Sequence, residues 1–437
     1  MEMAKVSELQ ENLEKKNIKF DDIVDNDTKG MKNKLLFLWA LIGPGFLAAI
    51  GDNDAGGLIS YSVTGMKFGI SLFIPLSICL VIITYTVQEM SMRLSVVTQT
   101  GFTSLIKKYY GNSWIKYHIT TICMENILML TTEFIGMSAG LVVLGLPMWV
   151  SVLISLVLVL SVITMAGYWT KERLTLFIGF FNIVFIIIAF MTHPSIKNIA
   201  YTFIAWNYPK ESQNLFWYIV AIIGNAVAPW MIFFQGNACI DKGIVKDHIR
   251  LGRIDTTIGC IVQVVIAACV IISGAALFGQ VNNIETLGPA QLILTFSSHM
   301  GRTAGILFGI GLFNAGFMAA ITISLSTTWC VSEAFGWKQS LNSKLSEAPK
   351  FYGVYIGSVV IAACIVLIPN LHLNYITLLA QVISGFLMAP ILIFLVMLTN
   401  KKELMGEYKN NLFINIRACI VAAILIVMAV LLIFNSI

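Results

Sequence analysis

Gly43-Pro44-Gly45-Phe46-Leu47-Ala48-Ala49-Ile50-Gly51-Asp52-Asn53-Asp54-Ala55-Gly56-Gly57 is the stretch whose reading decides the fold. It lies in an apolar run of about 20 residues, enough to cross about 30 Å of hydrocarbon, yet it holds two acids and three glycines in the middle. A carboxylate near a bilayer centre costs about 2.5–3.5 kcal/mol on insertion scales and persists where it pairs or binds something. The stretch therefore reads as a membrane span whose helix is interrupted. A second apolar run contains Gly224-Asn225-Ala226-Val227-Ala228-Pro229-Trp230, where Pro229 lacks an N–H and crowds the preceding turn, so this helix breaks too.

The rest of the chain agrees with a membrane reading. Its 437 residues are 57% hydrophobic and 12% charged, with a mean hydropathy of +0.83, which excludes soluble-enzyme and nucleic-acid-binding classes. Eleven apolar runs are expected as transmembrane helices, at 38–60, 69–92, 118–144, 147–166, 174–192, 215–240, 256–278, 303–333, 351–369, 373–398 and 414–434. Residues 1–37 lack the apolar core of a signal peptide and read as a cytosolic tail. Of the 28 Lys and Arg, all but Lys67, Lys197, Lys210 and Arg302 fall on the side holding the N-terminus. Cationic loops stay cytosolic during insertion, so the expectation is a multi-pass protein of the plasma (inner) membrane, N-terminus inside and C-terminus outside. The lipid bilayer is the expected partner, with no cofactor, no nucleic acid and no obligate protein partner. The eight cysteines show no close pair at metal-ligand spacing and read as packing residues.

The two interrupted spans, 1 and 6, are five apart. Broken helices in corresponding positions of two halves mark an inverted-repeat transporter with its site at the midplane. The expected fold is all-α: a first repeat over 38–192, a second over 215–398, and an eleventh span at 414–434. Unwound backbone inside the membrane needs water, a side chain or a cation as partner. The glycines Gly301, Gly305 and Gly309 read as close helix packing.

Asp54 is the leading candidate ligand, because no Lys or Arg lies near it in span 1 or span 6 and a bound cation would supply the missing charge. Asp52 either lines the approach, bonds unwound backbone, or ligates through water. In span 3, Glu125 and Glu133 are eight residues apart and both can face the interior. Glu133 is a candidate for the ion path, against the alternative of a buried carboxyl bonded to backbone. Asn225 and Gln381 offer neutral oxygens from spans 6 and 10. With Asp54 they form an all-oxygen set suited to a hard cation such as magnesium, calcium or manganese. Glu89 and Arg93 read as an ordinary i, i+4 ion pair, and the five histidines fall at span ends or in loops.

Gly43-Pro44-Gly45-Phe46-Leu47 followed by Asp54-Ala55-Gly56-Gly57 resembles span 1 of the Nramp metal transporters, whose motif reads Asp-Pro-Gly-Asn. Span 6 resembles their Ala-x-x-Met-Pro-His break. Further similarity lies in Gln88-Glu89-Met90, Arg93-Leu94, Val97-Thr98, Glu133-Phe134-Ile135-Gly136 and Gln381-Val382, so it runs over nearly the whole chain. The resemblance implies that Asp54 is a metal ligand. Gly57 stands where the family has its ligating asparagine, Ala228 where it has its methionine, Trp230 where it has its histidine, and Leu130 where it has an aspartate of the proton route in span 3. The arginine pair of span 9 has no counterpart, Pro349-Lys350-Phe351 standing near it. Such departures resemble the Nramp-related magnesium transporters, which implies magnesium and manganese uptake without proton coupling. Span 1 differs from that branch in lacking a proline in its motif.

The expected function is alternating-access uptake of a divalent ion, Mg2+ and also Mn2+, by a transporter and not an enzyme. Gly51 and Asn225 would supply backbone or amide oxygens, directly or through water, while Gly57 and Ala228 leave room for a partly hydrated ion. Two other classes compete: a proton-coupled manganese or iron transporter of the ordinary Nramp kind, and an amino-acid symporter of the same fold.

Overall fold

The computed structural model describes residues 42–165, 167–205, 215–281, 283–284 and 287–436. The expected tail at 1–37, the start of span 1 at 38–41 and Lys210 lie outside them. Among the described residues all regular structure is helical, and every expected span is present. Span 1 is Pro44–Gly51 plus Ala55–Phe68, span 2 Phe73–Thr98, span 3 Asn112–Val143 and span 4 Met148–Ser161. Span 5 is Gly167–Met191, span 6 Leu215–Ala226 plus Pro229–Lys242, span 7 Ile249–Ala275 and span 8 Arg302–Phe335. Spans 9, 10 and 11 are Pro349–Val366, Leu373–Thr399 and Leu412–Ser436. By length and composition, 9 of these among the described residues suffice to cross a membrane; span 4 is shorter, and span 1 is split.

Boundaries differ from expectation where polar residues stay helical. Span 1 runs on to Phe68 instead of ending at 60. The Ser60 hydroxyl donates to Gly56 O (3.0 Å) and that of Thr64 to Ser60 O (2.7 Å), so these side chains are satisfied inside the helix. Span 3 begins at Asn112, which puts His118 within the helix and buried against the rings of Phe102, Tyr117 and Phe394. Four helices outside the spans, Phe102–Tyr110, Ile196–Ala205, Pro289–Met300 and Lys402–Met405, carry too little apolar length for the hydropathy reading to find. Gly301, at φ 92°, is the turn from Pro289–Met300 into span 8 and not a packing residue. Gly305 does serve packing, since a Cβ there would meet Ser297 Cβ at 2.5 Å.

The two breaks fall where the core divides. The second half of span 1 and the first half of span 6 belong to one large apolar cluster with spans 2, 7 and 10. Leu47 and Ala48 of the first half of span 1, and Ala228, Trp230, Met231 and Phe234 of span 6, belong to another with spans 3, 4, 5, 8 and 9. Ile232 and Phe233 reach back into the first cluster. Span 7 follows both halves of span 1, and at the far end a Cβ on Gly65 would overlap Ile271 O while one on Gly274 would overlap Ser62 O.

Candidate metal-transport site

Three residues unwind span 1. Asp52 ends the first half-helix at φ −75°, Asn53 follows, and Asp54 is extended (φ −72°, ψ 167°). The first N–H groups of the second half-helix have no partner in their own helix, and carboxylates supply two: Gly57 N–H donates to Asp54 Oδ1 at 2.5 Å and Ala55 N–H to Glu133 Oε2 at 2.9 Å. Asp52 and Asn53 are tied to span 7. Gln263 Nε2 donates to Asp52 Oδ2, and Asn53 Nδ2 donates to Gln263 O at 3.0 Å.

Span 6 unwinds over Val227 and Ala228, the latter extended (ψ 143°), with Pro229 as first residue of the second half-helix, where its missing N–H costs nothing. The freed carbonyl of Ala226 accepts from Thr84 Oγ1 of span 2 at 2.8 Å. Asn225 joins the two breaks: its Nδ2 donates to Asp52 O at 3.1 Å and to the Tyr61 hydroxyl at 2.8 Å. From span 10, Gln381 Nε2 donates to Asp54 Oδ1 at 3.4 Å.

Gly56 and Gly57 correct the sequence reading, which counted them within the interruption. They form the first turn of the second half-helix, where close approach requires them. A Cβ on Gly57 would overlap the Asn225 amide, and one on Gly56 would meet Gln381 Nε2 at 2.6 Å and Thr132 Oγ1 at 2.8 Å.

The fold thus brings Asp54, Gly57, Asn225 and Gln381 together. Gly51 closes the first half-helix, hemmed by Trp230 Cη2 and Thr322 Oγ1, which a Cβ would meet at 3.0 and 3.1 Å. Asp52 is bonded to span 7, whereas Asp54 is bonded to span 10. Glu133 has both oxygens engaged, the second by Thr132 Oγ1 at 2.9 Å. Ala228, Trp230 and Leu130 are buried in the second apolar cluster, Trp230 lying edge-on to Phe234 with centroids 6.2 Å apart. Asp52, Asn53, Asp54, Asn225 and Gln381 are each at most 1% exposed, so these side chains are enclosed by protein. Asp54 Oδ2, Asn225 Oδ1 and Gln381 Oε1 have no hydrogen-bond partner among the described residues. Nor do Asp52, Asp54 and Glu133 take part in any ion pair there. No group of three or more His, Cys, Asp or Glu side chains at metal-binding spacing occurs among those residues.

Sequence reasoning missed several contributors. Gln263, Tyr61 and Thr84 hold the breaks in place, and Ser384 Oγ donates to Glu125 Oε1 at 3.1 Å. Where span 1 begins, Asp255 accepts from the N–H groups of Gly43 (2.9 Å), Gly45 (2.8 Å) and Phe46 (3.3 Å). Beside it a buried pair joins Lys242 Nζ to Glu172 Oε1 at 3.1 Å, and Tyr168 also donates to Glu172 at 3.0 Å. The Glu89–Arg93 pair is more than the expected i, i+4 contact. Glu89 also accepts from Arg253 at 2.9 Å, and Arg93 donates to Asn410 at 2.7 Å, which links span 2 to span 7 and to the segment before span 11.

Comparison with known proteins agrees with this architecture. The family described as "Natural resistance-associated macrophage protein-like" (Nramp) matches residues 45–435. A divalent metal cation transporter MntH of Levilactobacillus brevis is 24% identical, covering 91% of this chain and 90% of its own. The natural resistance-associated macrophage protein 2 homolog of Dictyostelium discoideum is 22% identical over 94% of this chain and 65% of its own. A crystal structure of a mutant of the Eremococcus coleocola manganese transporter superposes with a TM-score of 0.74 at 19% identity over 90% of this chain and 87% of that one. MhsT in complex with L-phenylalanine superposes at 0.53, with 14% identity over 88% and 98%. With the family matched across all eleven spans and both breaks, this multi-pass membrane protein belongs to the Nramp family.

Proposed function

We propose that the chain transports divalent metal ions, Mg2+ foremost and Mn2+ with it, by alternating access around Asp54 and without proton coupling. The observation that carries this reading is the set of enclosed oxygens Asp54 Oδ2, Asn225 Oδ1 and Gln381 Oε1, donated by three different spans and unmatched by any protein donor among the described residues. Oxygen-only donors suit hard cations, and magnesium keeps several of its waters. Ala228 places a methyl group where a thioether would favour softer ions. Gly51, which has no side chain, would contribute through its carbonyl.

Leu130 and Trp230 are buried and have no titratable group, and Glu133 is engaged in holding the second half of span 1. Both facts favour transport without a proton relay. Membrane potential suffices as a driving force: one charge crossing 100 mV gains about 2.3 kcal/mol, so a divalent ion gains about 4.6 kcal/mol, or roughly thousandfold accumulation. An amino-acid cargo is disfavoured because Asp54 and Glu133 already take the helix N–H groups that would receive a substrate carboxylate.

The test is magnesium and manganese influx into proteoliposomes, with clamped potential and an internal pH dye. In Asp54→Ala and Asp54→Asn the flux of both ions is expected to fall by about a hundredfold, the scale of losing a charged partner. Unchanged flux in both variants would sink the site assignment. Proton influx that scales with metal influx and vanishes in Glu133→Gln would restore the proton-coupled manganese mechanism.

A further inference from the structure

The span 1 break carries two carboxylates, and the cargo reading uses only one. Asp52 points to span 7, where Gln263 Nε2 donates to its Oδ2. Three oxygens here, Asp52 Oδ1, Asn53 Oδ1 and Gln263 Oε1, have no hydrogen-bond partner among the described residues, and all three residues are at most 1% exposed. A lone buried acceptor is costly, and a buried carboxylate without a counter-charge costlier still.

The available nitrogens cannot meet this need. Asn53 Nδ2 is engaged with Gln263 O and Gln263 Nε2 with Asp52, while Asn225 Nδ2 is engaged with Asp52 O and Tyr61. What three oxygens and one negative charge lack is a positive centre. We propose that Asp52, Asn53 and Gln263 form a second cation site, distinct from the one at Asp54, that takes a monovalent alkali cation.

Charge decides the class of ion. Asp52 is the only charged side chain of the set and the rest of the donors are neutral amides, so one positive charge brings the site to neutrality and a divalent ion would leave it in excess. Geometry separates the two sites, for Asp54 is bound to Gly57 N–H and to Gln381 of span 10, whereas Asp52 is bound to span 7. A cation here would also brace the unwound segment against the span that follows both halves of span 1. The site stands on its own oxygens, independently of which divalent ion is carried.

Sodium is the probe. Saturable sodium-22 binding to the full chain in nanodiscs, without divalent metal, is expected for the wild type and for Asp54→Asn, and is expected to be lost in Asp52→Asn. Gln263→Leu, which removes the amide at similar volume, is expected to weaken it by about tenfold or more, with Asn53→Ala as the variant that keeps the test open should Asp52→Asn fail to fold. No saturable sodium binding by the wild type, or binding unaltered in Gln263→Leu and Asn53→Ala, would overturn the proposal. So would loss in Asp54→Asn with retention in Asp52→Asn, which would put the ion at the cargo site. Sodium binding that persists where magnesium and manganese fail to bind supports this site while sinking the cargo assignment.

Discussion

The two breaks solve the same backbone problem with opposite chemistry. Span 1 unwinds over three polar residues, Asp52 to Asp54, whose side chains cap and anchor the exposed ends. Span 6 unwinds over Val227 and Ala228 and meets its needs with a proline that has no N–H to satisfy and a hydroxyl borrowed from span 2. Charge is thus concentrated on one side, and span 6 reaches across with a single neutral side chain, Asn225. In the proposed site, span 1 would supply the attraction for a cation, and Asn225 and Ala228 of span 6 are positions where donor type can change without changing net charge.

The contrast is broken most severely at Gly57, the point of contact between the two. Gly57→Ala puts a methyl group into the Asn225 amide and displaces two hydrogen bonds, each worth about 1 kcal/mol. Initial metal uptake in liposomes is expected to fall by about thirtyfold; uptake within experimental error of wild type would show that Asn225 is dispensable. Ala228→Met sharpens the discrimination half of the comparison. Competition calorimetry is expected to show manganese and cadmium gaining about tenfold on magnesium, because a thioether favours softer ions, and equal ratios before and after would count against the donor-type argument. The smallest effect is expected of Thr84→Val, which removes the hydroxyl from Ala226 O at nearly constant volume. About 1 kcal/mol of stability should be lost, read as a lower thermal midpoint in detergent with uptake retained, and an unchanged midpoint would mean that the span 6 break needs no borrowed donor.

Hydropathy made the eleven spans legible because lipid leaves the backbone few options. The breaks were legible because acids and a proline stand out against apolar sequence. Gln381 was visible as an amide inside an apolar helix, and Gln263 bears the same mark, but its partner Asp52 is 211 positions away and only the packing of span 7 on span 1 joins them. Gly56 and Gly57 were misplaced for a related reason: glycine permits unwinding and close packing alike, and which one operates depends on the neighbour, here Asn225 and Thr132. The cluster of Glu172, Lys242 and Asp255 left no signal, since each residue sits near the end of a different span, where charge is commonplace.

Under the proposed alternating access, that cluster bears on how evenly two conformations could be balanced. An apolar closure over the start of span 1 would hold itself shut in proportion to the area it hides from water. The Lys242–Glu172 pair and the Asp255 carboxylate behave otherwise. Replacing a buried ion pair with well-packed apolar groups is often neutral or stabilising, and when such a pair separates into solvent each partner regains its hydration. Under the proposed alternating access, a closure made of charge would be nearly indifferent to being open or shut, leaving the bound ion, and not the protein, to tip the equilibrium.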